Sequence, residues 1–202
     1  DGVRRISRST SADFINWTQP ILMEYGDAPL EHLYTNQTTP YFRAPHIYIA
    51  IAARFLPGRR VVSPEVAAEL GVEEAYAGDC SETIFMTTRG GHAYDRTFME
   101  AFVRPGLGLN NWTSRTNYPA RGIVPTGPDE LSFYVQRNYG QPHPYLQRFT
   151  LRTDGFVSVH APYQGGEMVT KPLLFGQEGP PARQLVINYS TAAVGSIRVE
   201  LQ

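Results

Sequence analysis

The sequence predicts an all-β protein: a partial β-propeller of four-stranded blades, followed by strands of a β-sandwich. Three observations carry this. Aromatic residues make up 12% of the 202 residues, beside 18 Gly and 16 Pro, a mixture of pleated-surface formers and turn formers that suits many short strands. Only one segment has clear helical grammar. Strand, turn, strand, turn also recurs along the chain with a Trp or Tyr after each outer hairpin, which is the rhythm of propeller blades.

Taken in order, residues 3–9 alternate weakly and read as a strand. Ser11-Ala12-Asp13-Phe14-Ile15-Asn16-Trp17-Thr18 reads as a hairpin, because the Asp side chain can cap turn amides while the Trp covers a blade edge. Tyr34–Asn36 is a short strand. Residues 42–55 hold the strongest strand, where Ile47, Ile49 and Ile51 alternate with Tyr48, Ala50 and Ala52; both faces are apolar, so it should be buried on both sides. Residues 63–70 form an inserted helix, with Ser63 as N-cap, Pro64 in its first turn and Gly71 as its stop. A strand over 82–89 and the turn Gly90-Gly91 follow, then a strand or extended crossing over 94–104. Asn111-Trp112-Thr113 echoes Asn16-Trp17-Thr18, as a coarse repeat would. Strands at 119–125, 131–137 and 145–152 are joined by turns at Gly127-Pro128-Asp129 and Thr153-Asp154-Gly155. After Gly165-Gly166 the texture changes, and 167–175, 184–189 and 196–201 read as sandwich strands. The expected division is thus a propeller region over 1–162 and the start of a sandwich over 163–202.

Composition narrows the function. Lys+Arg is 18 against 19 Asp+Glu, so no basic excess is present to neutralise phosphates, which argues against a nucleic-acid partner. No apolar run approaches the roughly 20 residues that span a bilayer, which argues against a membrane partner. The single Cys80 excludes an internal disulfide framework and a Cys-based zinc site. His32, His46, His92, His143 and His160 show no metal spacing, so no metal ligands are assigned, although a propeller channel can hold a structural Ca²⁺. No organic cofactor motif occurs. The opening DGVRRISRST lacks an apolar stretch flanked by charge, and both ends read as those of a piece of a longer chain. Localisation stays open between secreted or periplasmic and cytoplasmic.

Phe42-Arg43-Ala44-Pro45-His46-Ile47-Tyr48 resembles the Arg-Asp-Pro strand of five-bladed propeller glycosidases of families 32 and 43. Residues 85–106, FMTTRGGHAYDRTFMEAFVRPG, are similar to the strands that follow it. Gln184–Ser190, ahead of GSIRVELQ, is similar to the start of the sandwich that follows the family-32 propeller. More closely, the chain resembles bacterial family-32-like proteins, over their later blades and the start of the sandwich. It implies an oligosaccharide ligand and glycoside hydrolysis by two carboxyl groups. One departure stands inside the motif: Ala44 occupies the place of the family Asp that stabilises positive charge on the sugar. The family's Glu-Cys general acid has no good counterpart in Asp79-Cys80.

Glycoside hydrolysis needs two carboxyl groups flanking one bond, roughly 5–10 Å apart. Glu31 precedes the long strand, and Asp95 and Glu100 lie in the aromatic segment YDRTFMEAF; these three are the candidate catalytic acids. Asp13, Asp129 and Asp154 read as turn formers instead. Arg43 and Arg121 open strands at equivalent blade positions and would aim at one axial pocket, with His46 and Tyr34 as further sugar contacts; such a pocket suits an anionic or polyhydroxylated ligand. The leading expectation is a glycoside-hydrolase-like protein. The alternatives are a non-catalytic carbohydrate-binding or assembly module, and a sialidase-like enzyme built on the Asp-box-like Ser11-Ala12-Asp13 with Arg43, Arg121, Arg137 and Tyr134. A few blades alone leave sheet edges open, so self-association or a partner chain that completes the ring is expected.

Overall fold

A computed structural model describes residues 2–173 and 185–201. In chain order the strands are β1 (Ser7–Arg8), β2 (Ile21–Leu22), β3 (His32–Tyr34), β4 (Thr39–Tyr41) and β5 (Ala44–Leu56). Helices α1 (Pro64–Glu69) and α2 (Glu74–Ala77) follow, then β6 (Cys80–Thr88), β7 (Tyr118–Pro119), β8 (Val124–Gly127), β9 (Glu130–Arg137) and β10 (Tyr145–Arg152). The all-β expectation therefore holds. The chain divides into two compact units, Asp1–Thr150 and Leu151–Gln202, where the sequence placed the change near residue 162.

The first unit is organised by β5. Nine of its 13 residues pair with β6, from Tyr48↔Thr88 to Leu56↔Cys80. On its other side β4 takes the first half and β3 the second. Alternation sorts the side chains. One face carries Ala50, Ala52, Ile84 and Met86, which close a core with Met23, Leu33 and Tyr94. The other carries Ile49, Ile51 and Phe85. Residues Ile49 to Ala53 are buried throughout, as a doubly apolar strand requires. A second four-stranded sheet is built the same way around β9, with β7 and β8 on one side and β10 on the other. The two sheets meet through an aromatic ladder, Phe85–Phe102–Phe133–Phe149, with successive centroids 5.3, 5.3 and 5.5 Å apart, pairs that contribute beyond their buried area.

The inserted helix is as expected: Ser63 Oγ accepts from the Val66 amide at 3.3 Å, Pro64 opens the helix, and Gly71 takes φ +66 just past its end. The sequence reading missed the single turn of α2. Val62, Ala67, Val72 and Ala77 form a satellite core beneath Tyr76 and Trp112.

Of the two readings of residues 94–104, the extended crossing is the one found, held by two isolated bridges, Thr87↔Asp95 and Thr83↔Val103. Two expectations need correction. The Asn-Trp-Thr echo is not a structural repeat: Asn16 caps the Asp13 hairpin, whereas Asn111 ends a 3₁₀ turn. The reason is chemical, since Asp13 stands three residues before Asn16 and Gly108 three before Asn111. In the second unit the turn Thr153–Gly155 forms, with the Gly155 amide on the Arg152 carbonyl at 2.9 Å. However, 167–173, 185–189 and 196–201 carry no strand; residues 174, 175 and 184 of that expectation lie outside the described residues. Alternating apolar residues there, such as Ile197 and Val199, are exposed. Alternation alone does not make a strand where no partner strand and second layer receive it.

The Asp13 hairpin forms as its sequence demands. Asp13 accepts from the Ile15 amide at 2.9 Å, the Asn16 amide at 2.8 Å, Asn16 Nδ2 at 2.8 Å and Ser11 Oγ at 3.0 Å. The Asn16 bonds, then those of Ile15 and Ser11, hold its carboxyl well below the usual carboxylate range. A depressed folded value means that the hairpin's support is complete above the ordinary Asp range and disappears as pH falls through the lower folded value. Asp13→Ala is therefore expected to speed amide exchange at Ile15 and Asn16 severalfold at pH 7. Lowering the wild type to the ordinary Asp range should leave those amides protected; early loss of protection would contradict this account.

Candidate functional site

The loop between Trp112 and Pro119 has an uncommon distribution of polarity. Thr113, Ser114, Thr116 and Asn117 are buried, and Arg115 between them is exposed. Buried polar groups need partners, and this loop supplies them. Asn117 Nδ2 donates to the Ser81 carbonyl at 2.8 Å and the Asn111 carbonyl at 3.0 Å, and its Oδ1 accepts from Arg137 Nη1. Thr83 Oγ1 donates to the Asn117 carbonyl at 2.5 Å, Thr113 and Thr116 share a hydroxyl contact at 3.2 Å, and the Arg115 amide donates to Ser81 Oγ at 3.0 Å. The loop is thereby sewn to β6. Arg115 and Asn117 both take left-handed backbone, φ +60 and +69, as does Asn138 at +55. Such conformations persist only where the surroundings enforce them, and they cluster at functional sites.

This construction presents one guanidinium. Arg115 Nη1 donates to Tyr76 OH at 3.3 Å and to Tyr139 OH at 3.2 Å, and its Cζ lies 4.9 and 5.5 Å from their ring centroids. The two rings meet edge to face at 5.1 Å. Gly140, at φ +65, lets Tyr76 lie against the backbone, since a Cβ there would strike the ring. The hydrogen bond from Arg115, then that from Tyr76, draws the Tyr139 hydroxyl below its ordinary value; the bond to Tyr139, then burial, raises Tyr76.

Tyr34 belongs to the same neighbourhood. Burial raises its hydroxyl against the pull of Arg4 and then Arg115, with Asp79 adding to the rise. Its ring stands edge-on to Tyr118 at 5.4 Å and Phe55 at 6.5 Å, and the Arg4 guanidinium covers Tyr34 and Phe55 at 4.9 and 5.0 Å. Cross-strand pairing explains the grouping: His32↔Phe55 and Tyr34↔Ala53 set His32, Tyr34 and Phe55 on one sheet face. Asp79 accepts from the Gly58 amide at 2.7 Å, and Glu73 is exposed beside Tyr76 and Tyr139, raising the former and opposing the fall of the latter.

The acids inferred from sequence each have a partner of their own. Glu31 does not stand in an open loop. Its Oε1 meets Arg54 Nη1 at 2.5 Å and its Oε2 meets Arg96 Nη2 at 3.3 Å. Arg54 also binds Glu82, its cross-strand neighbour, through Nε at 2.7 Å and through Nη2. Burial opposes the charge of Arg54, but the Glu82 and Glu31 bonds outweigh it and its pKa rises; in Arg96 burial prevails and its pKa falls. Asp95 is exposed and accepts from the Thr97 amide at 2.9 Å and Thr97 Oγ1 at 2.5 Å. Glu100 is exposed, opposite Arg104 at 3.2 Å. Arg43 and His46 are exposed at the entrance to β5, and Arg121 is exposed between β7 and β8. Arg137 is buried, bonded to Asn117 and to Gln147 at 2.8 Å, while Tyr134 is exposed. Cys80 is buried, and burial pushes its thiol up to about 11.

Among the described residues no three His, Cys, Asp or Glu side chains gather as metal donors, and no helix is long and apolar enough to cross a membrane. A cavity of about 360 Å³ beside β2, lined in part by Arg5, Glu24 and Tyr25, holds none of the residues inferred from sequence. Of those residues, Tyr34 alone is within electrostatic reach of Arg115. The sequence signal for the rest of the platform was the run Thr113-Ser114-Arg115-Thr116-Asn117, five polar residues between Trp112 and Tyr118. No family model, curated protein or solved structure matches the chain.

Proposed function

We propose that the chain is a carbohydrate-active, glycoside-hydrolase-like protein that binds an oligosaccharide on the Arg115 platform. Its two four-stranded sheets act as propeller blades, with self-association or a partner chain completing the ring. The observation that carries the reading is Arg115 itself, held outward by a buried polar loop between two tyrosine hydroxyls. Saccharides are recognised by that combination: aromatic faces stack on their apolar ring faces, and fixed polar groups address their hydroxyls. Half-buried Tyr34, Tyr118 and Phe55 supply what aromatic surface the Arg4 guanidinium leaves on the first and last of them, and tyrosine and guanidinium groups supply the polar partners. The resemblance of residues 42–48 and 85–106 to family-32/43 propellers supports the same ligand class.

Binding is favoured over turnover, because Glu31 serves two arginines with both its oxygens. Hydrolysis is the second reading, and Glu73 and Asp79 favour it by flanking the tyrosines. Calorimetry with a panel of neutral and charged tetrasaccharides tests the proposal. Binding is expected for at least one class, weakened about tenfold by Tyr34→Ala, as loss of an aromatic platform contact predicts. Absence of binding across the panel overturns it. Product release that is lost in Glu73→Gln or Asp79→Asn selects hydrolysis.

A further inference from the structure

We infer that the ligand of this platform is a carboxylate-bearing saccharide, a uronate-containing oligosaccharide, whose carboxylate seats on the Nε–Nη2 edge of Arg115. The inference rests on the carbohydrate reading above and specifies its ligand.

The argument begins with donors. A guanidinium has five N–H groups in a fixed fork. Arg115 Nη1 spends its two on Tyr76 and Tyr139. Among the described residues Nε and Nη2 have no hydrogen-bond partner and Arg115 makes no ion pair. The side left over is the edge that presents two parallel N–H groups, which matches the two oxygens of a planar carboxylate. The tyrosines fix the fork's orientation without neutralising it, because a phenol is uncharged at neutral pH. Tyr76 donates its O–H to Tyr139, whereas the O–H of Tyr139 is left to donate, so a hydroxyl beside the carboxylate meets a donor on that flank.

The backbone points the same way. Every neighbour of Arg115 in the loop turns inward, and left-handed φ values at 115 and 117 hold the exposed side chain in place. A cation meant only for solubility needs none of this. Arg148 shows the contrast: exposed as well, it closes on Glu130 at 2.5 Å within its own sheet.

The test compares tetragalacturonate with its fully methyl-esterified form, in which a methyl group on one oxygen of each carboxyl removes its charge and its second free oxygen. Calorimetry on the wild type is expected to give at least about tenfold tighter binding of the acid. Arg115→Gln brings the ratio to about one, Arg115→Lys keeps part of it because charge survives without the fork, and the pair Tyr76→Phe and Tyr139→Phe reduces it. Equal affinity of acid and ester for the wild type overturns the inference and needs no variant to fold. Equal or tighter binding of a dextran sulfate oligomer also overturns it, since charge would then suffice without carboxylate shape. If neutral tetrasaccharides bind while acid and ester are equal, the carboxylate inference falls and the carbohydrate reading stands. If no saccharide binds, both fall.

Discussion

Arg54→Met is expected to destabilise the protein by about 3–5 kcal/mol in equilibrium urea unfolding, the cost of leaving buried charge without its partner. Arg54 holds two carboxylates at once, Glu31 and Glu82, whose side chains are 14% and 9% exposed. Its position follows from register: Arg54 stands directly across from Glu82 and beside Leu33, on the face that carries Ala50, Ala52, Ile84 and Met86. The neighbouring Arg96, 1% exposed, reaches Glu31 but not Glu82, so it cannot replace Arg54. Removing Arg54 leaves two carboxylates close together in a poorly hydrated patch. Glu31→Gln should cost less, about 1–3 kcal/mol, because an amide oxygen still accepts from an arginine while the charge is lost. Glu31→Gln should also leave saccharide affinity unchanged. Loss of turnover or affinity in Glu31→Gln without loss of stability would return Glu31 to the site.

That cluster shows where sequence reading reaches its limit. Local rules are legible because their partners are neighbours in the chain. Ser11, Asp13 and Asn16 define the hairpin among themselves, Ser63, Pro64 and Gly71 bound a helix, and the double apolar alternation of 47–53 specifies a buried strand. Glu31 read as a candidate catalytic acid because the residues that claim it, Arg54 and Arg96, become neighbours only after β3, β5 and the crossing segment assemble. Tyr34 was legible as a candidate, whereas Arg115 was not: the distinction of Arg115 comes from four flanking side chains turning inward, and burial of polar residues leaves no periodic trace. The sandwich expectation failed in the described residues for the complementary reason. Alternation states a preference for two environments, and only a partner strand turns it into a sheet.

The same dependence on assembly makes Asn117 the most informative residue of the platform. Asn117→Ala is expected to cost about 3 kcal/mol or more. It strands the Ser81 and Asn111 carbonyls and an Arg137 N–H in the interior, each a penalty of about 1–3 kcal/mol before relaxation. It also places a Cβ-bearing residue without a compensating side chain at φ +69, where left-handed backbone costs about 1–2 kcal/mol. Asn117→Gly loses the same hydrogen bonds but not the conformation, so it should be about 1 kcal/mol less destabilised than the alanine variant, after allowing for the freedom glycine adds to the unfolded chain. Urea unfolding of the two variants separates bonding from backbone; equal stability would mean that the left-handed turn contributes nothing. Asn117 touches no ligand in this scheme and acts through Arg115, two residues away in the same turn. In folded Asn117→Ala, the preference for tetragalacturonate over its methyl ester should therefore collapse while affinity for neutral tetrasaccharides changes little. A purely structural residue would lower both in proportion to the fraction unfolded, and that outcome would separate the buried loop from the orientation of the guanidinium it carries.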